Sequence, residues 1–215
     1  MTIGRLTPRL CAAGPIAALV VAFGSPASAG PITGWQVLSN RDGMLVERRV
    51  DGRLYEVRAT AESSLPPAAI FETVWKQREH PQFVPYLKRL DLIAEEGDER
   101  LTYEQVEVPM ARDRDYTVRL HKRVDFATQR YEIVFATAND AGPPPNTGHI
   151  RVPSLRGRWL IEVGPEGKGS RLHYEVFADP GGAIPIWVIN RAQGSAVVKL
   201  LRAMLERTSE KAGLK

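Results

Sequence analysis

Cysteine is almost missing from this chain. There is one, Cys11, close to the N-terminus and at the start of a short apolar run, not after it, the wrong place for a lipid-attachment site. The rest of the chain therefore has no disulfide, no thiolate nucleophile and no cysteine-based metal site. Histidine is scarce too, with His80, His121, His149 and His173. No two of them stand at ligand spacing, and strand alternation puts His121 and His173 on polar faces, so no metal site is expected. Neither common glycine-rich phosphate loop is present, and no cofactor is implied. Ser195 follows Gly194 but lacks the second glycine of a nucleophile elbow, which argues against a serine hydrolase. No strong charge excess exists: 29 Lys and Arg stand against 25 Asp and Glu, a formal charge of +4. Nucleic acid is excluded as a partner on that balance, while a weak attraction to an anionic membrane surface is not.

The chain also lacks a long hydrophobic run. Leu10 to Phe23 is apolar but short and interrupted by Gly14-Pro15, a poor membrane span. With Arg5 and Arg9 before it and Ala27-Ser28-Ala29 after it, it has the three parts of a secretory signal. Residues 1–29 are expected to be a signal peptide cleaved near Ala29, and residues 30–215 one domain in the periplasm or outside the cell.

At 215 residues, with 43% apolar and 25% charged residues, the chain is long enough for one domain with a real core. Residues 30–43 read as a lead-in with Trp35 and turn residues. Strands follow at Met44–Val50 and Leu54–Ala61, joined at Asp51-Gly52, a strong hairpin pair. Ser63 or Ser64 starts a helix with Pro66-Pro67 in its first turn and Ile70, Phe71, Val74 and Trp75 at helical spacing; His80-Pro81 ends it. Four strands then meander, at roughly Leu87–Glu95, Arg100–Val108, Asp115–Val124 and Tyr131–Ala138. In the third, Tyr116, Val118, Leu120 and Val124 share one face; in the fourth, Tyr131, Ile133 and Phe135 do. A Gly/Pro-rich loop, Asn139 to Thr147, precedes two last strands, Arg156–Val163 and Arg171–Ala178. The closing element is a long helix opening at Ile184-Pro185-Ile186-Trp187, with Val197, Val198, Leu201, Met204 and Leu205 as its greasy stripe. One early helix, seven or eight antiparallel strands and a long final helix make an α+β domain.

Three segments carry a resemblance. Leu172-x-Tyr174, Asp179-x-x-Gly182-x-Ile184-Pro185 and Val188-Ile189-Asn190 resemble the end of the StAR-related lipid transfer (START) domain, where the last strand turns through a glycine into the C-terminal helix. Pro81-x-Phe83-x-Pro85-x-x-Lys88 resembles the stretch after that family's second helix, and Arg114-Asp115-Tyr116 its Arg-Asp-aromatic strand start. The match runs over nearly all of residues 35–210.

The resemblance implies a helix-grip fold, a curved antiparallel β-sheet wrapped around a long C-terminal helix, with a tunnel between them. It also implies a single lipid ligand (a sterol, phospholipid or similar molecule) carried with transient membrane contact. The cavity-lining residues it implies are Tyr103, Tyr116, Val118, Leu120, Ile133, Phe135, Trp159, Tyr174, Val188 and Val198, with Arg114 and Asp115 as a structural ion pair. The closing loop is either Ala111–Arg114 or Asn139–Gly148, and Trp187 is open between burial and membrane contact. Sterol-binding members often carry a basic residue further along the Arg-Asp strand; here that slot is Leu120. Glu104 stands where the partner carboxylate would be. An unpaired buried carboxylate is costly, so Glu104 is expected to face water or find another partner. The protein is expected to be a non-enzymatic carrier, with a monomer favoured. The alternative is a cyclase or aromatase on the same scaffold, which needs inward-facing acid or base groups; the assignable inward faces hold almost none.

Overall fold

The computed structural model describes residues 34–213, with only the backbone for Arg191. The expected signal peptide lies outside the described residues. Strands β1 (Gln36–Arg41), β2 (Met44–Asp51) and β3 (Leu54–Ser63) come first, then helix α1 (Pro67–Trp75). Strands β4 (Leu87–Glu96), β5 (Glu99–Val106), β6 (Arg114–Asp125) and β7 (Arg130–Thr137) follow. After the two-residue β8 (Ile150–Arg151) come β9 (Ser154–Val163), β10 (Ser170–Asp179) and helix α2 (Ile186–Lys211). The sheet order is β1-β2-β3-β10-β9-β7-β6-β5-β4, antiparallel throughout, and β8 adds a short parallel pairing to β6. This curved sheet under a long C-terminal helix is the helix-grip arrangement, α+β, that the alternation and the last helix imply.

Several elements differ from the sequence reading. Helix α1 is capped by Pro66 and not by Ser63 or Ser64, and it ends at Trp75; His80-Pro81 lies in a separate 3-10 turn, Gln77–Gln82. The short β8 was not expected. The lead-in holds a strand, β1, tied to β2 through Asp42-Gly43, both at positive φ (54° and 72°). That is the backbone a two-residue hairpin turn needs. The strand was hard to see because it is an edge: Val37 and Leu38 are exposed, and its register slips between Val37 and Ser39, a bulge of the kind that protects edges. At the other end of the chain, α2 begins at Ile186 with Pro185 as its cap, and the Pro185 carbonyl accepts from the Val188 and Ile189 N–H groups.

The core lies between the concave face and both helices. Ile70, Phe71, Val74 and Trp75 of α1 are buried, and Phe71 stacks on Tyr131 with ring centroids 4.8 Å apart. From α2, Val197, Leu201 and Met204 enter the same core, and Thr208 is buried one turn on, its hydroxyl donating to the Met204 carbonyl. The C-terminal half of α2 is thus held by burial. Its root is held by a cation: Arg114, 2% exposed, donates to the carbonyls of Pro180 and Gly181 at 3.1 Å each, and to that of Arg112. Gly181 and Gly182 make the turn with φ of +62° and +72°.

Arg114 and Asp115 do not pair with each other. Neighbours on a strand point to opposite faces, so Arg114 reaches the β10–α2 turn while Asp115 points to the convex side. There Asp115 accepts from Arg151 at 2.9 and 3.0 Å, from the Tyr103 hydroxyl at 3.0 Å and from the Asn146 N–H at 3.1 Å.

Candidate functional site

Between the concave face and α2 lies a cavity of about 300 Å³, at the small end of the range for ligand sites. Its floor is Glu104 and Val106 of β5, Tyr116, Val118 and Leu120 of β6, Phe135 of β7, Leu155 and Trp159 of β9, and Tyr174, Val176 and Ala178 of β10. Its roof is Gln193, Ala196, Val197, Leu200 and Met204 of α2. Val74, Gln77, His80 and the segment Val84–Leu87 close one end.

The floor carries an aromatic wall. Trp159 and Tyr174 lie 4.2 Å apart, centroid to centroid, and Phe135 stacks against Tyr174 at 6.1 Å. Phe135 can lie there because Gly157 faces it: a β-carbon at Gly157 would come within 2.6 Å of the Phe135 ring and 2.1 Å of the Glu175 carbonyl oxygen.

The polar groups of the lining are few. Glu104 accepts from the Tyr116 hydroxyl at 2.9 Å and from the Thr102 hydroxyl at 3.2 Å. Burial pushes its carboxyl above the usual carboxylate range, and the two hydroxyls only partly pull it back. The same burial, with the Glu104 charge added, raises the Tyr116 phenol. The Nε2–H of His80 donates to the Thr73 carbonyl at 3.1 Å, and burial pushes its pKa down to about 4, so the imidazole is neutral. Gln77 Oε1 and Gln193 Oε1 are sealed from solvent without a partner. No Lys or Arg side chain lines the cavity among the described residues. No cluster of three metal-ligating side chains occurs among them either.

The raised carboxyl gives a pH-dependent stability. The unfolded chain loses the Glu104 proton as pH climbs past its usual 4.5, while the folded chain still holds it. The folded state therefore loses ground with rising pH until the folded group titrates too. Glu104→Gln has no such proton. Its Tm should match that of the parent below pH 4.5 and exceed it at neutral pH, by about 2–4 °C for each kcal/mol recovered. Thermal melts across that range check the sign.

Six of the sequence-predicted residues line this cavity: Tyr116, Val118, Leu120, Phe135, Trp159 and Tyr174. Four do not. Tyr103 lies on the convex face, pairing across from Thr117 and bonded to Asp115. Ile133 is buried solid core, 1% exposed. Val188 sits half-buried in the first turn of α2. Val198 faces a different groove, and its neighbour Val197 takes the cavity side.

Neither candidate closing loop lines the cavity. Asn139–Gly148 is bolted to the convex side: Asn139 bridges the Thr117 N–H and the Val152 carbonyl at 2.9 and 2.8 Å, and Arg151 holds the Pro143 carbonyl. The end is closed by Val84–Leu87 instead. Glu104 finds the partners expected of it, yet it does so facing inward, and with His80 it breaks the expectation of an interior almost free of acid or base groups. Gln77, Gln193 and Leu200 were missed; the first needed the turn after α1, and the others needed the rotation of α2.

Comparison with known proteins agrees with this geometry. The START domain family model matches residues 32–212. Phosphatidylcholine transfer protein of Bos taurus is 30% identical over 182 residues, covering 80% of this chain and 83% of the relative. The structure of a STAR-related lipid transfer protein from Xanthomonas axonopodis superposes with a TM-score of 0.73 at 21% identity, covering 81% of this chain and 98% of that one. A Streptomyces aromatase/cyclase shares the fold more distantly, with a TM-score of 0.51 at 14% identity over 73% of this chain and 94% of that one. With the helix-grip sheet, the hollow beneath α2 and a family match over most of its length, the chain belongs to the START domain family.

Proposed function

We propose that this protein takes up one lipid molecule in the cavity under α2 and carries it between membranes, without chemistry. The observation that carries the reading is the hollow itself, an apolar, aromatic-walled space that the protein's own side chains leave unfilled. Burying a lipid tail there is favourable by about 0.8 kcal/mol per CH₂. The polar end of the ligand must suit a lining with one carboxylate, free glutamine oxygens and no cation. That set favours a head that donates hydrogen bonds or carries positive charge. Phosphatidylcholine, named in several relatives, is the first candidate: its quaternary ammonium fits beside Glu104 and the rings of Trp159 and Tyr174. A two-chain lipid exceeds about 300 Å³, so the roof must shift to admit it.

The reading includes export. The N-terminal pattern supports a working place in the periplasm, where a carrier crosses the water between two membranes; N-terminal sequencing of protein from cell fractions, expected to begin near Gly30, checks it. Function is tested with delipidated protein. Native mass spectrometry should show lipid bound one to one, and vesicle assays should show transfer of labelled phosphatidylcholine. No uptake across sterols, phospholipids and sphingolipids sinks the carrier reading.

A second reading has one observation in its favour. The Glu104–Tyr116 pair is a buried acid/base couple inside the cavity, as a cyclase requires. Turnover of a polyketide-like substrate that Glu104→Gln abolishes, with binding retained, would decide for it.

A further inference from the structure

A second hollow lies on the opposite flank of α2, a groove of about 610 Å³ between that helix and the outer strands β1–β3. At its base is a residue out of keeping with its position. Met44, Val46 and Arg48 alternate onto the concave face of β2; the first two are core, and the third is a cation. The Arg48 guanidinium stacks over the Tyr55 ring, 4.3 Å from its centroid. Its Nε is sealed from solvent without a hydrogen-bond partner, and no carboxylate pairs with it among the described residues.

The acids of these strands are already engaged. Glu47 holds Arg58 at 2.6 Å, Glu56 holds Arg49 at 2.5 Å, Asp42 faces Arg202 at 3.4 Å, and Asp51 pairs with Arg156. No acidic residue stands in the first turn of α2. Ser39 and Asn190 also line the groove, and they add a hydroxyl and an amide to the guanidinium donors. A planar guanidinium with open donors is suited to two-point contact with a phosphate.

The rim is of the other character. Leu38 lines the groove at 39% exposure and Trp187 at 70%, and Val37 and Val50 are exposed on the same strands. A cation at the base with aliphatic and indole groups at the lip matches a phosphate ester lying under an apolar layer. A soluble anion would leave the lip without a role. We propose that the groove between α2 and β1–β3 is a phosphate-binding site that seats the head group of a membrane phospholipid, with Arg48 as its anion ligand. It is separate from the cavity, so it concerns docking on the membrane and not the lipid carried.

The test is co-sedimentation of the full chain with vesicles of phosphatidylcholine mixed with phosphatidylglycerol. It compares the parent with Arg48→Gln, Arg48→Lys and Arg171→Gln. The last removes one charge from the convex face, where Arg171 pairs with Glu62 at 2.9 Å. Arg48→Gln should weaken vesicle binding about fivefold, the worth of one basic residue at a membrane surface. Arg48→Lys should fall between, because it keeps the charge and loses the fork, and Arg171→Gln should bind like the parent. Thermal melts should show a Tm loss of no more than about 2–4 °C in Arg48→Gln, since the stacking on Tyr55 is the one protein contact removed among the described residues. Equal weakening in Arg48→Gln and Arg171→Gln overturns the site, because it reports general charge attraction. Inorganic phosphate supplies the other arm: if it raises the Tm of the parent but not of Arg48→Gln, while vesicle binding ignores Arg48, the head-group assignment is overturned. Lipid uptake is measured in the same variants and should stay one to one in Arg48→Gln; a failure of uptake with Arg48-dependent docking intact counts against the carrier reading alone.

Discussion

Val118→Trp should stop the protein from taking up lipid while leaving it folded. Val118 sits mid-floor on β6, 3% exposed, with the cavity directly in front of it. An indole there has a void to enter, so the usual overpacking cost of about 1–3 kcal/mol is relieved by the space it fills. An indole takes up much of a space of about 300 Å³, so the roof would have to shift well beyond what a lipid alone demands to seat an acyl chain beside it. Uptake by native mass spectrometry should fall more than tenfold, with Tm shifting by only a few degrees. Unchanged uptake would mean that lipid binds elsewhere on the molecule.

The largest effect on stability should come from Asp115→Ala. Its carboxylate is fully buried and gathers Arg151, the Tyr103 hydroxyl and the Asn146 N–H. Removing it strands the Arg151 guanidinium, 16% exposed at its side chain, without its counter-ion. Breaking a buried pair from one side costs about 3–5 kcal/mol, which for a chain of this size lowers Tm by roughly 10 °C. Burial alone would push Asp115 upward, but its hydrogen bonds and the Arg151 charge outweigh that and hold it below its usual 3.8. The sign follows from linkage. A lowered carboxylate stabilises the fold above its unfolded pKa and stops doing so as pH falls through its folded one. The melting curves of parent and variant should therefore draw together in acid. A constant gap down to the acid limit would show that packing, not the ion pair, sets the loss.

These cases show which physics the sequence exposes. On β6, one face is core and cavity and the other is polar, so alternation placed Tyr116, Val118 and Leu120 correctly. On β5 both faces are covered. Leu101 and Tyr103 are as buried on the convex side as Thr102 is on the concave side, and the richer apolar set was the outward one. That is why Tyr103 was expected inside, while Glu104 was expected to face water or find another partner. On α2 the ambiguity is rotational: Val197 and Val198 are adjacent, about 100° apart around the axis, and the helix has a hollow on each flank. The Arg114-Asp115 pair failed for a simpler reason. Adjacent strand residues face away from each other, so two neighbouring opposite charges are better read as two separate anchors.

The clasp on the root of α2 has a mechanical meaning. Arg114 grips the carbonyls before the helix, and Leu201, Met204 and Thr208 embed its far half. A beam clamped at one end and bedded along its distal half cannot swing away like a door. The stretch up to Ala196 is the less embedded part: the cavity lies under Gln193 and Ala196, and the outer groove runs beside Trp187, Asn190, Gly194 and Ser195. A molecule passing in or out would meet the least resistance there, by lifting that stretch of the beam off the cavity, while the join between sheet and helix stays shut.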